Sequence, residues 1–129
     1  MIHNVYVFSA NGEPIITLKL GSIAAPEAMV SGFLSAIQTF AKKLTGGEVQ
    51  QVNTGQFSIL MRRVDDNFVA LASDQNDRDA RHRLDEVAHI IKEQLGKLAP
   101  AALEKVIAEA ITKVQSAADK AKLWATKGM

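Results

Sequence analysis

Cysteine is absent from the 129 residues, which excludes disulfides, thiolate nucleophiles and thiolate-held metal, and fits a reducing compartment. An excess of either charge sign is also missing. Fifteen basic against 14 acidic residues leave +1, scattered among one another, so no field exists to hold a phosphate backbone and nucleic acid is not an expected partner. There is no long apolar run. The longest uncharged stretch, Ala28 to Ala41, carries Ser31, Ser35, Gln38 and Thr39 and is too short to cross a bilayer. The opening residues include His3, Asn4, Asn11, Glu13 and Lys19 rather than the apolar core of a secretory signal, so the expected location is the cytoplasm, with membrane contact at most peripheral. Gly-rich phosphate loops, a nucleophile elbow, internal repeats and low-complexity tracts are not found. What is present is the composition of an ordinary globular domain, 47% apolar and 22% charged, of a size that folds around one core.

Hydrophobic periodicity orders the elements. Ile2 to Phe8 places Val5 and Val7 on one side and Tyr6 and Phe8 on the other, so both faces seek burial and the segment reads as a central strand. Asn11-Gly12 supplies a pair that tolerates positive φ at both turn centres, and Pro14 to Leu20 resumes alternation through Ile16, Leu18 and Leu20, which predicts a hairpin. A helix follows from Pro26, with Val30, Phe33, Leu34, Ile37, Phe40, Ala41 and Leu44 as a core-facing stripe and Gly46-Gly47 as its end. Glu48 to Asn53, Gln56 to Val64 and Asn67 to Ser73 read as a meander turned at Thr54-Gly55 and Asp65-Asp66. Asn76 or Asp77 is the expected cap of a second helix with the stripe Ala80, Leu84, Val87, Ala88, Ile91, Leu95 and Leu98. Beyond Pro100 a third amphipathic helix carries Leu103, Ile107, Ala110, Ile111, Val114, Ala118, Ala121 and Ala125, with Val106, Ala117 and Trp124 on its margin.

The opening IHNVYVFSANGEPI, a strand running into an Asn-Gly hairpin, and the later FSILMRRVDDNFVALASDQND leading into a helix resemble the longin domain. That family includes the longin SNAREs, adaptin small subunits, the signal-recognition-particle receptor α subunit and TRAPP tethering subunits. The resemblance covers Met1 to about Leu98. It implies an α+β, profilin-like fold: a five-stranded antiparallel sheet in the order 2-1-5-4-3, one helix on one face and helices on the other, with residues 99–129 added as a long amphipathic helix. The related roadblock domains start with a helix, whereas this chain starts with the strand, which favours longin. The SNARE motif that follows the longin domain in longin SNAREs is not seen here, so membrane fusion is not implied. What the resemblance does imply is a binding platform, paired with a second longin or roadblock domain and engaging a small GTPase.

Candidate chemistry is sparse. His82, Asp85, Glu86 and His89 share one stripe of the second helix, but the histidines lie roughly 10 Å apart along its axis, too far to share a zinc ion, so the stripe reads as a solvated face with local ion pairs and no metal is expected. Asp65 and Asp66 belong to a turn, and with Asp74 they form no paired acid and base. Arg62, Arg63, Arg78, Arg81 and Arg83 are interleaved with Asp65, Asp66, Asp77 and Asp79 as a charge-balanced surface, with a docking patch for an acidic partner as the sharper reading. Lys105, Lys113, Lys120, Lys122, Lys127 and Trp124 give the last helix a membrane-facing alternative, opposed by Glu104, Glu109 and Asp119.

The sequence therefore predicts a protein-interaction module without catalytic residues, cofactor or metal, acting as a homodimer or as half of a longin/roadblock heterodimer that regulates a small GTPase. Its expected partner-binding residues are Ile15, Thr17 and Lys19 on an edge strand, the exposed margin of the first helix, Val49 and Val52 beside the third strand, and Ile107, Ile111, Val114 and Trp124 on the last helix. The alternative is a small-molecule-sensing domain of profilin-like or PAS-like kind, with the five Phe residues, Met29 and Met61 lining a pocket.

Overall fold

The computed structural model describes residues 1–21 and 27–111. Five strands form one antiparallel sheet: β1 (Ile2–Ser9), β2 (Pro14–Lys19), β3 (Gln51–Thr54), β4 (Phe57–Val64) and β5 (Asn67–Asp74). Their order is β2-β1-β5-β4-β3, as the longin resemblance implies. The two-faced apolar β1 is central, paired with β2 on one side and β5 on the other, and its first seven residues are buried.

The hairpin between β1 and β2 departs from the expected tight turn. Only Gly12 has positive φ (87°), and Phe8 lies opposite Pro14 after a register shift. Ser9 explains the wider loop, because its Oγ accepts the Asn11 and Glu13 amides at 3.3 and 3.1 Å. A side chain at Gly12 would also press on the first helix, its Cβ 3.3 Å from that of Ser35.

Helix α1 (Glu27–Thr45) ends at Gly46, whose φ of 76° supplies the left-handed stop. The expected start at Pro26 lies outside the described residues. Gly55 and Asp65, both at φ 54°, turn the meander. Helix α2 (Ala80–Gln94) is shorter than its apolar stripe suggested: Leu95 is already extended, Gly96 has φ 86°, and Leu98 returns to bridge Leu95. The cap also differs. Asp79 occupies the N-cap without a side-chain bond, while Asp77 accepts the Asp79 amide and faces Arg83. Residues 100–111 are helical.

Alternation along the strands divides the core in two. On one face Val5, Val7, Leu60, Val69 and Leu71 pack against Leu84, Val87 and Ile91 of α2 and against Leu103, Ile107 and Ile111. Each fully buried Leu or Ile there contributes about 1.5–3 kcal/mol. On the other face Tyr6, Phe8, Met61, Phe68 and Ala70 meet Leu34 of α1, with Phe8 and Phe68 stacked at 5.6 Å.

Candidate protein-interaction surface

Helix α1 is packed opposite to its expected sense. Its large apolar residues were predicted to face the core, yet Met29, Phe33, Phe40 and Leu44 are 65%, 59%, 67% and 70% exposed. Ser31, Leu34, Ser35 and Gln38 are the buried ones. At about 100° per residue, the four exposed side chains fall within an arc of roughly 60°, centred roughly 160° from the sheet-facing direction. Only Leu34 of the predicted stripe is fully buried, with Val30, Ile37 and Ala41 at its half-buried border.

Polar anchoring accounts for this orientation. Ser35 Oγ donates to the Ala10 carbonyl at 2.8 Å. Gln38 does more: its Nε2 donates to the Val49 carbonyl at 2.7 Å, and its Oε1 accepts the Val49 amide at 2.8 Å. The side-chain amide thus stands in for a strand partner and ties the approach to β3 onto α1. The aromatic floor of Tyr6, Phe8 and Phe68 fills the space that large helix residues would otherwise occupy. Serines and a glutamine at i, i+4 and i+7 form a helical stripe of their own, which is the signal in the sequence that could have revealed this side.

The predicted partner residues fall in three places. Val49, just before edge strand β3, and Val52, within it, are half-buried and pack, with Val30 and Ile59, onto the α1-side core. Ile15, Thr17 and Lys19 lie on β2, the opposite edge of the sheet, roughly 19 Å away at about 4.8 Å per strand. Ile15 and Lys19 are exposed there, while Thr17 tucks its hydroxyl inward. Ile107 and Ile111 are 0% and 2% exposed and belong to the chain's own core, so they are not offered to a partner. Val114 and Trp124, with the rest of the expected C-terminal helix, lie outside the described residues.

Four of the five arginines of the candidate patch have partners within the fold. Arg62 bonds Asp85, Arg63 lies 3.5 Å from Glu48 and over the Phe68 ring, and Arg81 donates to Gln51. Arg83 is buried against Asp77 at 3.3 Å, so it is not part of a docking patch. An open groove of about 460 Å³ runs between Glu48, Arg62, Arg81 and Asp85. His82 pairs with Glu86 at 3.0 Å, and among the described residues no three groups converge as metal ligands.

A second cluster joins Asp74 and Asp77 to the N-terminal ammonium at 3.2 and 2.9 Å and to His3 Nε2, 2.8 Å from Asp74. The His3 hydrogen bond and then the ammonium hold the Asp74 carboxyl below its usual range. Burial pushes Asp77 up, but the ammonium and Arg83 more than offset it and leave it lowered. Among the described residues no helix is long and apolar enough to cross a membrane.

No sequence family and no curated protein matches the chain. Known structures do. A Roadblock/LC7 domain from Streptomyces avermitilis superposes with TM-score 0.60 at 13% identity, covering 74% of this chain and 87% of that one. MglB from Myxococcus xanthus gives 0.58 at 14% identity, over 75% and 85%. A chain in a homology model of the full-length AP-3 complex gives 0.60 at 12% identity, over 99% and 98%. The fold is therefore of the longin/roadblock kind, and the roadblock domain and the AP-3 chain fit it equally well.

Proposed function

We propose that this chain is a non-catalytic protein-interaction module, a longin-type scaffold or regulator that positions a small GTPase in trafficking-like or polarity systems. The observation that carries the reading is the inverted α1, whose four large apolar side chains find no cover among the described residues. Scattered exposed apolar residues need no explanation, but a row on one helix face marks a contact surface. Val30, at the border of that row, packs on the same core cluster as Val49 and as Val52 of edge strand β3. One structural neighbour belongs by name to a multi-chain complex, AP-3.

In-cell photocrosslinking tests the reading. A photoreactive residue at Phe40 should give discrete protein adducts that one at exposed Lys92 does not, and an adduct identified as a GTPase should re-form from purified chains in one nucleotide state. If Phe40 gives no more adducts than Lys92, the α1 face is not an interaction surface and the proposal fails.

A further inference from the structure

We infer that Asn11 is a modification site, where the chain converts its own side-chain amide to a carboxylate at a rate set by opening of the β1–β2 turn. Of the five asparagines, Asn11 alone precedes a glycine. The chemistry is local. The Gly12 amide nitrogen attacks Cγ of Asn11 and loses its proton, the bond from Cγ to the side-chain nitrogen breaks, and that nitrogen leaves with the proton as ammonia. A five-membered succinimide remains. Water then opens the ring at either carbonyl and gives aspartate or isoaspartate, the latter with the main chain routed through the side chain and one atom longer. No enzyme, oxidant or cofactor is required. A Cβ on the next residue crowds the attacking nitrogen, so Val5, Thr54, Phe68 and Asp77 protect Asn4, Asn53, Asn67 and Asn76.

The turn sets the pace. Gly12 donates its N–H to the Ser9 carbonyl at 2.9 Å, and Ala10 and Asn11 keep negative φ, so residues 9–12 form a type I turn closed by left-handed Gly12. Asn11 therefore sits near a ψ of about 0°, whereas ring closure needs the Gly12 nitrogen swung toward Cβ by roughly a third of a turn about the Cα–C bond. The attack also needs the Gly12 proton removed, and the Ser9 carbonyl holds it. Ser9 fixes the loop a second time through its hydroxyl, which accepts the Asn11 and Glu13 amides. The Asn11 side chain itself is exposed and has no hydrogen-bond partner among the described residues. The reactive pair is thus accessible but clamped, and conversion proceeds from the fraction of molecules whose turn has opened.

Placement gives the product a structural effect. Ala10 accepts the Ser35 hydroxyl of α1 at 2.8 Å, and a Cβ built on Gly12 would lie 3.3 Å from Ser35 Cβ and 3.4 Å from Gly32 Cα. An extra main-chain atom between Ala10 and Gly12 has no room against α1 without displacing the Ser35 anchor. The inference does not depend on what α1 binds.

Ageing the full chain at mildly alkaline pH, with each asparagine followed by peptide mass, tests it. Asn11 should convert while the other four do not. Its conversion should be at least about tenfold faster in urea, where the turn is gone, and at least about threefold faster in folded Ser9→Ala than in wild type. The isoaspartate product, isolated by chromatography, should show faster hydrogen exchange than unaged chain at the α1 amides around Ser35. Asn11→Asp, which adds the charge without the extra atom, should not. Conversion no faster in urea, or no faster in Ser9→Ala, would show that the turn does not gate the reaction and would overturn the inference. So would the absence of conversion at Asn11 in all three samples. An isoaspartate product that exchanges like Asn11→Asp would overturn the coupling to α1.

Discussion

The two helices that flank the sheet are built from similar amphipathic sequences but packed by opposite halves. Helix α2 turns Leu84, Val87, Ala88 and Ile91 inward and leaves Arg81, His82, Asp85 and His89 in water. Helix α1 turns Ser31, Ser35 and Gln38 inward and leaves Met29, Phe33, Phe40 and Leu44 exposed. An apolar stripe therefore reports that a helix face seeks a dry surface, without reporting that its own domain supplies it. What decides between the two is the sheet face underneath. The α2 side offers β-branched and leucine side chains that leave room for large helix residues, whereas the α1 side carries Tyr6, Phe8, Met61 and Phe68, which fill the gap themselves.

This contrast can be broken in graded steps. Leu84→Ala should cost about 3 kcal/mol in urea unfolding, because α2 provides true core. Arg83→Ala should cost about 2–3 kcal/mol: it leaves the buried Asp77 carboxylate with the N-terminal ammonium at 2.9 Å as its one charge partner among the described residues, beside the Asp79 amide. A stability change below 1 kcal/mol would show that the buried pair is not needed on this face. Gln38→Ala removes both hydrogen bonds to Val49 and should cost about 1–2 kcal/mol, with faster hydrogen exchange at the Val49 amide as the specific sign. Smaller still is the acid response. Asp74 and Asp77 are both lowered from 3.8 in the folded state, so the stability they confer is fully present above that value and is lost as pH falls through their folded pKa values. Asp77→Asn should flatten that acid limb of a stability–pH curve. At the end of the scale, Phe33→Ala should change monomer stability by no more than about 0.5 kcal/mol, although the residue is one of five phenylalanines in the chain.

Much of the fold was legible because strand periodicity depends only on neighbours. The central place of β1 followed from Val5 and Val7 facing one way and Tyr6 and Phe8 the other, and the sheet order came from the longin resemblance. The errors lie where a distant group decides. The α1 orientation turns on a glutamine bonded to a residue eleven positions away, and that bond also holds Val49 off the sheet, so β3 begins at Gln51 and not at Glu48. Ile107 and Ile111 were misassigned for a related reason: a helical stripe looks the same whether its own sheet or another chain covers it. Asp77 read as a cap because aspartate commonly serves as one, but the buried Arg83 six residues on claims part of its carboxylate. Of the proposed surface, the exposed row of α1 was taken for core.

The most direct test is urea unfolding of the full chain beside Phe33→Glu/Phe40→Glu. An outward α1 predicts that the double variant stays folded and unfolds within about 0.5 kcal/mol of wild type. A double variant that is severely destabilised would show that these phenylalanines serve their own core, and would contradict the account.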